Sequence, residues 1–112
     1  PRGHDLIPVV QGDQRAKLAA AALEQDWLKD APVTIAIAAV YERTARKYKR
    51  RAERYVHMEV GHAAQNVHLQ AVALDLGTVV VGAFDDAKVK RVLTLAANEE
   101  PLCLMPLSKP RS

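Results

Sequence analysis

Residues 59–86, EVGHAAQNVHLQAVALDLGTVVVGAFDD, decide how the chain is read. Val56, Val60, Ala63, Ala64, Val67, Ala71 and Leu74 recur at steps of 3 and 4 residues, with one adjacent pair, so they form a stripe along a helix. The spacing predicts one long helix from about Tyr55 to Leu76. Gly61 lies inside it, where it costs about 1 kcal/mol relative to Ala and suits the close approach of another helix. Gly77 is the expected stop. TVVVG, residues 78–82, then reads as a buried strand, and Asp85 or Asp86 caps a short helix carrying Val89, Val92 and Leu93. A strand that ends in glycine, turns and opens a helix is where α/β folds often seat ligands. Gly82 has no side chain, so a flat ring could approach its backbone. Spacing alone fits an ordinary turn equally well.

Outward from this core, His4 to Val10 reads as a short strand and Asp13 as the N-cap of a helix from Gln14 to about Lys29. Leu18, Ala21, Ala22 and Leu28 fall near one face of that helix, with Gln25 between them. Ala31-Pro32 ends it, because the residue before proline is pushed towards extended geometry. VTIAIAAVY, residues 33–41, is apolar and rich in β-branched side chains, the signature of a strand covered on both faces. PLCLMPL, residues 101–107, is a last strand whose two prolines point to its ends or to a sheet edge. Helices and strands alternate, which predicts a layered sheet with helices on both sides.

With 112 residues, 49% of them hydrophobic and 26% charged, the chain reads as one globular domain, residues 1–112. No apolar run approaches the roughly 18 residues of a membrane span. The opening RGHDLIPVVQGD resembles no signal or transit peptide, so a cytoplasmic protein is expected. The start at Pro1 suggests processing or a fragment. The lone Cys103 sits in an apolar run and reads as a small buried hydrophobe. Residues 43–54, RTARKYKRRAER, hold seven basic residues against one acidic, whereas the whole chain is only +3. The basicity therefore belongs to one segment. As a helix it would line up Arg43, Lys47, Arg50 and Arg54, a stripe able to meet phosphates, but such runs are usually solvated faces. His57, His62 and His68 share the long helix, and Glu59 with His62 gives Glu-x-x-His. Nothing else completes a metal site around that pair. No HExxH, GxSxG, GxGxxG or P-loop is present.

EVGHAAQNVHLQAVALDLGTVVVGAFDD resembles the long helix, strand and turn of the nitroreductase superfamily. AVYERTARKYKRRAERYV before it and EEPLCLMPLSKP after it resemble the SagB-type branch, which includes dehydrogenases of azoline rings in modified peptides. The similarity spans nearly the whole chain and corresponds to the C-terminal half of the family's usual length. It implies an α+β, nitroreductase-like fold with a central mixed sheet flanked by helices. It also implies an FMN-dependent oxidoreductase that passes hydride through flavin N5. NAD(P)H is the candidate reductant, a small molecule or peptide the substrate, and a homodimer the assembly, with flavin at the interface. By motif, Val80, Val81, Gly82 and Ala83 should line the flavin ring, and Lys109 and Arg111 should meet its phosphate. The family's Arg/Ser-rich phosphate-binding segment is missing, so the chain alone is expected to bind FMN weakly. Lys49 and Ser108 stand where the family usually has glycine. Two other readings stay open: a non-catalytic dimerisation or binding module that has lost flavin, and a basic nucleic-acid-binding protein.

Overall fold

The computed structural model describes residues 12–110; the expected strand at His4–Val10 and the side chain of Arg111 lie outside them. Strand β3 (Glu100–Ser108) runs between β1 (Val33–Ala39) and β2 (Gly77–Thr78), and both pairings are antiparallel. Side chains alternate across a strand, so β3 serves two cores. Leu104 packs on one face among Leu18, Ala19, Ala21, Ala22, Leu28, Val81 and Val89. These come largely from helices α1 (Arg15–Ala21), α2 (Asp26–Asp30) and α5 (Asp86–Leu93). On the opposite face Cys103 and Met105 meet Ala64 of helix α4 (Ala52–Ala73), with Ile35, Ile37, Val60 and Val67 packed around them. The α+β class and the helices on both faces are as expected. The mixed strand sense is not seen among the described residues, where every pairing is antiparallel.

The proline-bearing strand is the centre of the sheet, not its edge. Val81 and Leu104 exchange both backbone hydrogen bonds, at 2.8 and 2.9 Å. The amide of Leu104 therefore faces β2, and so does position 106 two residues on. Extending the register places Pro106 opposite Val79, and there the ladder lapses between Thr78 and Val81. Pro101 is accommodated on the other side by a register shift between Ile37 and Ala38. Each proline thus sits where a ladder bond is dispensed with.

β1, expected to be covered on both faces, has no fully buried residue. Ile35 and Ile37 turn towards α4, while Ala36 and Ala38 on the other face are exposed, as is Val33 at the strand's start. The expected strand at 78–82 reduces to β2 and the single bridge at Val81. The expected helix 14–29 is broken at Leu23 and Glu24, both with left-handed φ, 59° and 56°. Its cap differs too. Gln14 is the N-cap residue, while the Asp13 carboxylate accepts from the Arg15 amide and guanidinium.

The basic segment is helical and exposed as expected. Helix α3 (Tyr41–Tyr48) passes through a 3-10 turn, Lys49–Arg51, into α4. Lys49 takes φ 50° and ψ −120°, a conformation natural to glycine. α4 ends before Gly77. Asp75 adopts φ 59°, and the amides of Asp75 and Leu76 donate to the carbonyls of Val72 and Ala71, the paired bonds of a Schellman cap. Asp tolerates the left-handed region better than most side chains, so Gly77 is not needed for the stop. Within the chain Gly61 has open space around it: a Cβ there would meet nothing within 4 Å.

Candidate functional site

The segment after β2 is held from below and open above. Val81 anchors it. Its amide and carbonyl are both taken by Leu104, and its side chain is buried in the core shared with α1 and α5. Val81 thus has both backbone groups committed to β3 and fixes the segment from beneath. Val80, Gly82 and Ala83 on either side are exposed, and Val79 and Val80 keep 41% and 43% of their surface. A Cβ built at Gly82 would meet no atom within 4 Å. The backbone at Gly82 thus borders free space rather than a neighbouring element.

Beyond Ala83 the chain is tied down again. The Asp85 amide donates to the Ala21 carbonyl at 2.8 Å, and the Asp85 carboxylate caps α5 by accepting from the Lys88 amide at 3.1 Å. Gln25, from the α1–α2 turn, donates through Nε2 to the Ala83 carbonyl at 3.0 Å. Phe84 packs half-buried against the core between these ties. Gln25 is not among the site residues expected from the sequence. The available signal was a lone polar residue on the otherwise apolar face of Leu18, Ala21, Ala22 and Leu28.

The structure brings Val80, Val81, Gly82 and Ala83 together and does not set Lys109 beside them. Val81 is level with Leu104, and Lys109 lies five residues further along β3, roughly 17 Å at the usual strand rise. Lys109 is exposed just past the strand end. A ligand touching both would have to lie lengthwise along the β2–β3 seam. Ser108 is extended and pairs with Gly77, so it needs none of glycine's freedom.

The other candidates resolve as ordinary structure. No group of three His, Cys, Asp or Glu able to hold a metal occurs among the described residues. Glu59 and His62 are exposed on α4, and His57 instead shares a 2.8 Å hydrogen bond with the Tyr41 hydroxyl. Tyr41 also borders a hollow of about 360 Å³ with Glu53, Asp86 and Glu100. Burial first, and then those three carboxylates, push its phenol pKa up, so it stays protonated. Cys103 is buried and its thiol pKa is raised by desolvation, the state of an inert thiol. No described helix is long and apolar enough to cross a membrane.

The comparisons with known proteins agree with this architecture. The family model described as the nitroreductase family matches residues 4–109. A Methanocaldococcus jannaschii protein that carries the name nitroreductase is 48% identical over 109 residues, 97% of this chain and 54% of the relative. The chain thus spans about half the length of that curated relative. A crystal structure of an Anabaena variabilis protein, also named a nitroreductase, matches with a TM-score of 0.82 and 31% identity, over 89% of this chain and 20% of that one. The NADPH:FMN oxidoreductase of Vibrio harveyi, solved with NAD+, matches with a TM-score of 0.73 and 26% identity, over 88% of this chain and 46% of that one. The chain belongs to the nitroreductase family.

Proposed function

We propose that this nitroreductase-family chain is the C-terminal half of an FMN-dependent oxidoreductase domain and that it supplies the wall against which the flavin ring lies. The observation that carries the reading is the open, side-chain-free backbone at Gly82, fixed from beneath by the Val81–Leu104 bridge. A flat ring needs such a surface: rigid, apolar at its border, and without a Cβ in the way. Val80 and Ala83 would border the ring, and Lys109 with Arg111 would meet the phosphate through charge-assisted bonds. When bound, the flavin supplies hydride chemistry at its N5, with NAD(P)H as reductant. This chain contributes position and exclusion of water. The flanking segments 39–56 and 99–110 favour the SagB-type branch, and with it a small-molecule or peptide substrate.

The assembly we propose is a homodimer. α4 carries two apolar stripes. One packs on β3, while the other, Met58, Leu69 and Val72 with Gly61 between them, is exposed. A second copy of the same helix would cover it, in the two-fold arrangement commonest among oligomers.

Flavin titration tests the site. The chain alone lacks the N-terminal phosphate clamp, and each lost charge-assisted bond removes about 1.5–3 kcal/mol. The 112-residue chain should therefore bind FMN roughly a hundredfold or more weakly than the same chain joined to a family N-terminal half. In the joined protein, Gly82→Val should abolish quenching of flavin fluorescence, because its side chain enters the ring's space. Unchanged binding in Gly82→Val would remove the wall assignment. Tight stoichiometric binding by the chain alone would remove the divided-site argument.

A further inference from the structure

The turn between α1 and α2 holds two consecutive residues, Leu23 and Glu24, in the left-handed region. L side chains adopt that conformation at an energetic cost, so the turn must be held by its surroundings. Its course delivers the next residue, Gln25, to the Ala83 carbonyl of the candidate wall. Gln25 Nε2 donates to the Ala22 carbonyl at 2.8 Å and to the Ala83 carbonyl at 3.0 Å. Both partners are acceptors, so the bonds use the two N–H groups of one amide, and this fixes which end of the amide points inward. Gln25 also occupies the N-cap position of α2, yet its side chain makes no capping bond there. The side chain is committed to Ala22 and Ala83.

These bonds couple sequence-distant segments at the place where the wall would otherwise be least supported. Before Gly82 the chain is clamped by Val81 on Leu104, and after Phe84 by the Asp85 amide on Ala21. Ala83 lies between the clamps, exposed, and its carbonyl is drawn towards α1 by Gln25. Fixing that carbonyl sets the Ala83–Phe84 peptide, and with it the course of Gly82 and Ala83.

We propose that Gln25 is a positioning residue of this site: its amide holds the Ala83 carbonyl and so sets the surface that Gly82 and Ala83 offer to a flat ring. The proposal rests on the reading of Gly82 as the flavin-facing wall. It assigns no chemical step to Gln25. Removing the two N–H donors should free the Ala83 carbonyl and let the wall shift, while the cores around Leu104 and Met105 stay as they are.

The test uses Gln25→Met, which keeps the length and loses both donors, and Gln25→Glu, which keeps the shape and turns an oxygen towards two carbonyls. Hydrogen exchange on the 112-residue chain reads the wall without any flavin. Protection at the Asp85 amide, which donates to Ala21, should fall about tenfold or more, with β3 and α4 unchanged. In the chain joined to a family N-terminal half, FMN affinity should fall on the order of tenfold and the visible flavin bands should shift. A merely structural role would lower thermal stability and leave the bands of the bound flavin unmoved. Wild-type exchange in Gln25→Met would overturn the proposal, as would wild-type affinity and bands in that variant while Gly82→Val blocks binding. If the unmutated joined protein takes up no FMN, the flavin reading fails by itself. Raised exchange in the variants would then still support Gln25 as the residue that holds the wall, and unchanged exchange would remove it.

Discussion

β1 and β3 are both apolar strands of the same sheet, and they end in opposite environments. β1, VTIAIAA, has the stronger strand composition and no fully buried residue. β3, EPLCLMPLS, carries two prolines and holds Cys103, Leu104 and Met105 at the centre of the molecule, covered by helices on both faces. Apolar composition reports what a segment is covered by in its finished assembly. Position in the ladder reports what this chain alone can cover. β3 satisfies both within the chain. β1 satisfies only the first, and its bare face, like the second stripe of α4, fits the proposal that more protein packs there.

The largest effect expected from this contrast is on stability. Leu104→Ala removes a fully buried side chain from the larger of the two clusters and should cost about 2–5 kcal/mol in urea unfolding of the chain. Ile35→Ala, on the half-covered face of β1, should cost about 1 kcal/mol, because part of its surface is already in water. Equal losses would break the contrast. Ile35 would then carry core weight that its exposure hides.

The uncovered face of α4 gives the next test. Val72 and Leu69 are 75% and 60% exposed. If a second copy covers them, Leu69→Lys with Val72→Lys should raise the dimer dissociation constant by about tenfold or more, since central apolar anchors of interfaces are worth about 1–2 kcal/mol or more each. The isolated chain should keep its stability within about 0.5 kcal/mol, as surface substitutions usually do. Light scattering over a dilution series reads the first and urea unfolding the second. A wild-type chain that is only monomeric at micromolar concentration would sink the homodimer. Loss of monomer stability in the double variant would show that this stripe packs within one chain.

How much of this was legible in the sequence follows the same division. The α4 stripe was readable because its repeat is long and its buried positions, Val56, Ala64 and Ala71, are set by one helix on one sheet. The turn at Gly82 stood out because a glycine interrupts an apolar run there, and its backbone does border free space. The Val81–Leu104 bridge was not legible, because a sequence does not show which partner strand takes a given amide. The long N-terminal helix was overextended because nothing in the Ala-rich run announces left-handed residues at Leu23 and Glu24, where the Glu24 amide closes on the Ala19 carbonyl. At Lys49 the departure from the family's glycine was legible, and the structure supplies its meaning: φ is 50° there. Covered strand and central strand were confused because both prolines in β3 fall where the ladder makes allowance for them.

The smallest effect tests that allowance. Pro106 is buried in β3, faces the β2 side and has no N–H to offer the Val79 carbonyl. The lapse leaves Val79 and Val80 outside the ladder, half-exposed beside Gly82. Pro106→Val keeps an apolar side chain of similar size and supplies the missing donor. A new hydrogen bond contributes about 0.5–1.5 kcal/mol. Losing proline's restriction of the unfolded chain takes back about 0.4–1 kcal/mol. The two nearly cancel, so unfolding should move by less than about 1 kcal/mol in either direction, and stability cannot be the deciding measurement. Hydrogen exchange at the amide that Pro106→Val introduces can be. If the lapse is due to the absent donor, that amide should bond to Val79 and be protected on the scale of the neighbouring Leu104 amide, with Val79 and Val80 drawn into β2. An amide at this position that exchanges at the rate of an open chain would show that β2 ends for another reason, and that the proline is a passenger at the break rather than its cause.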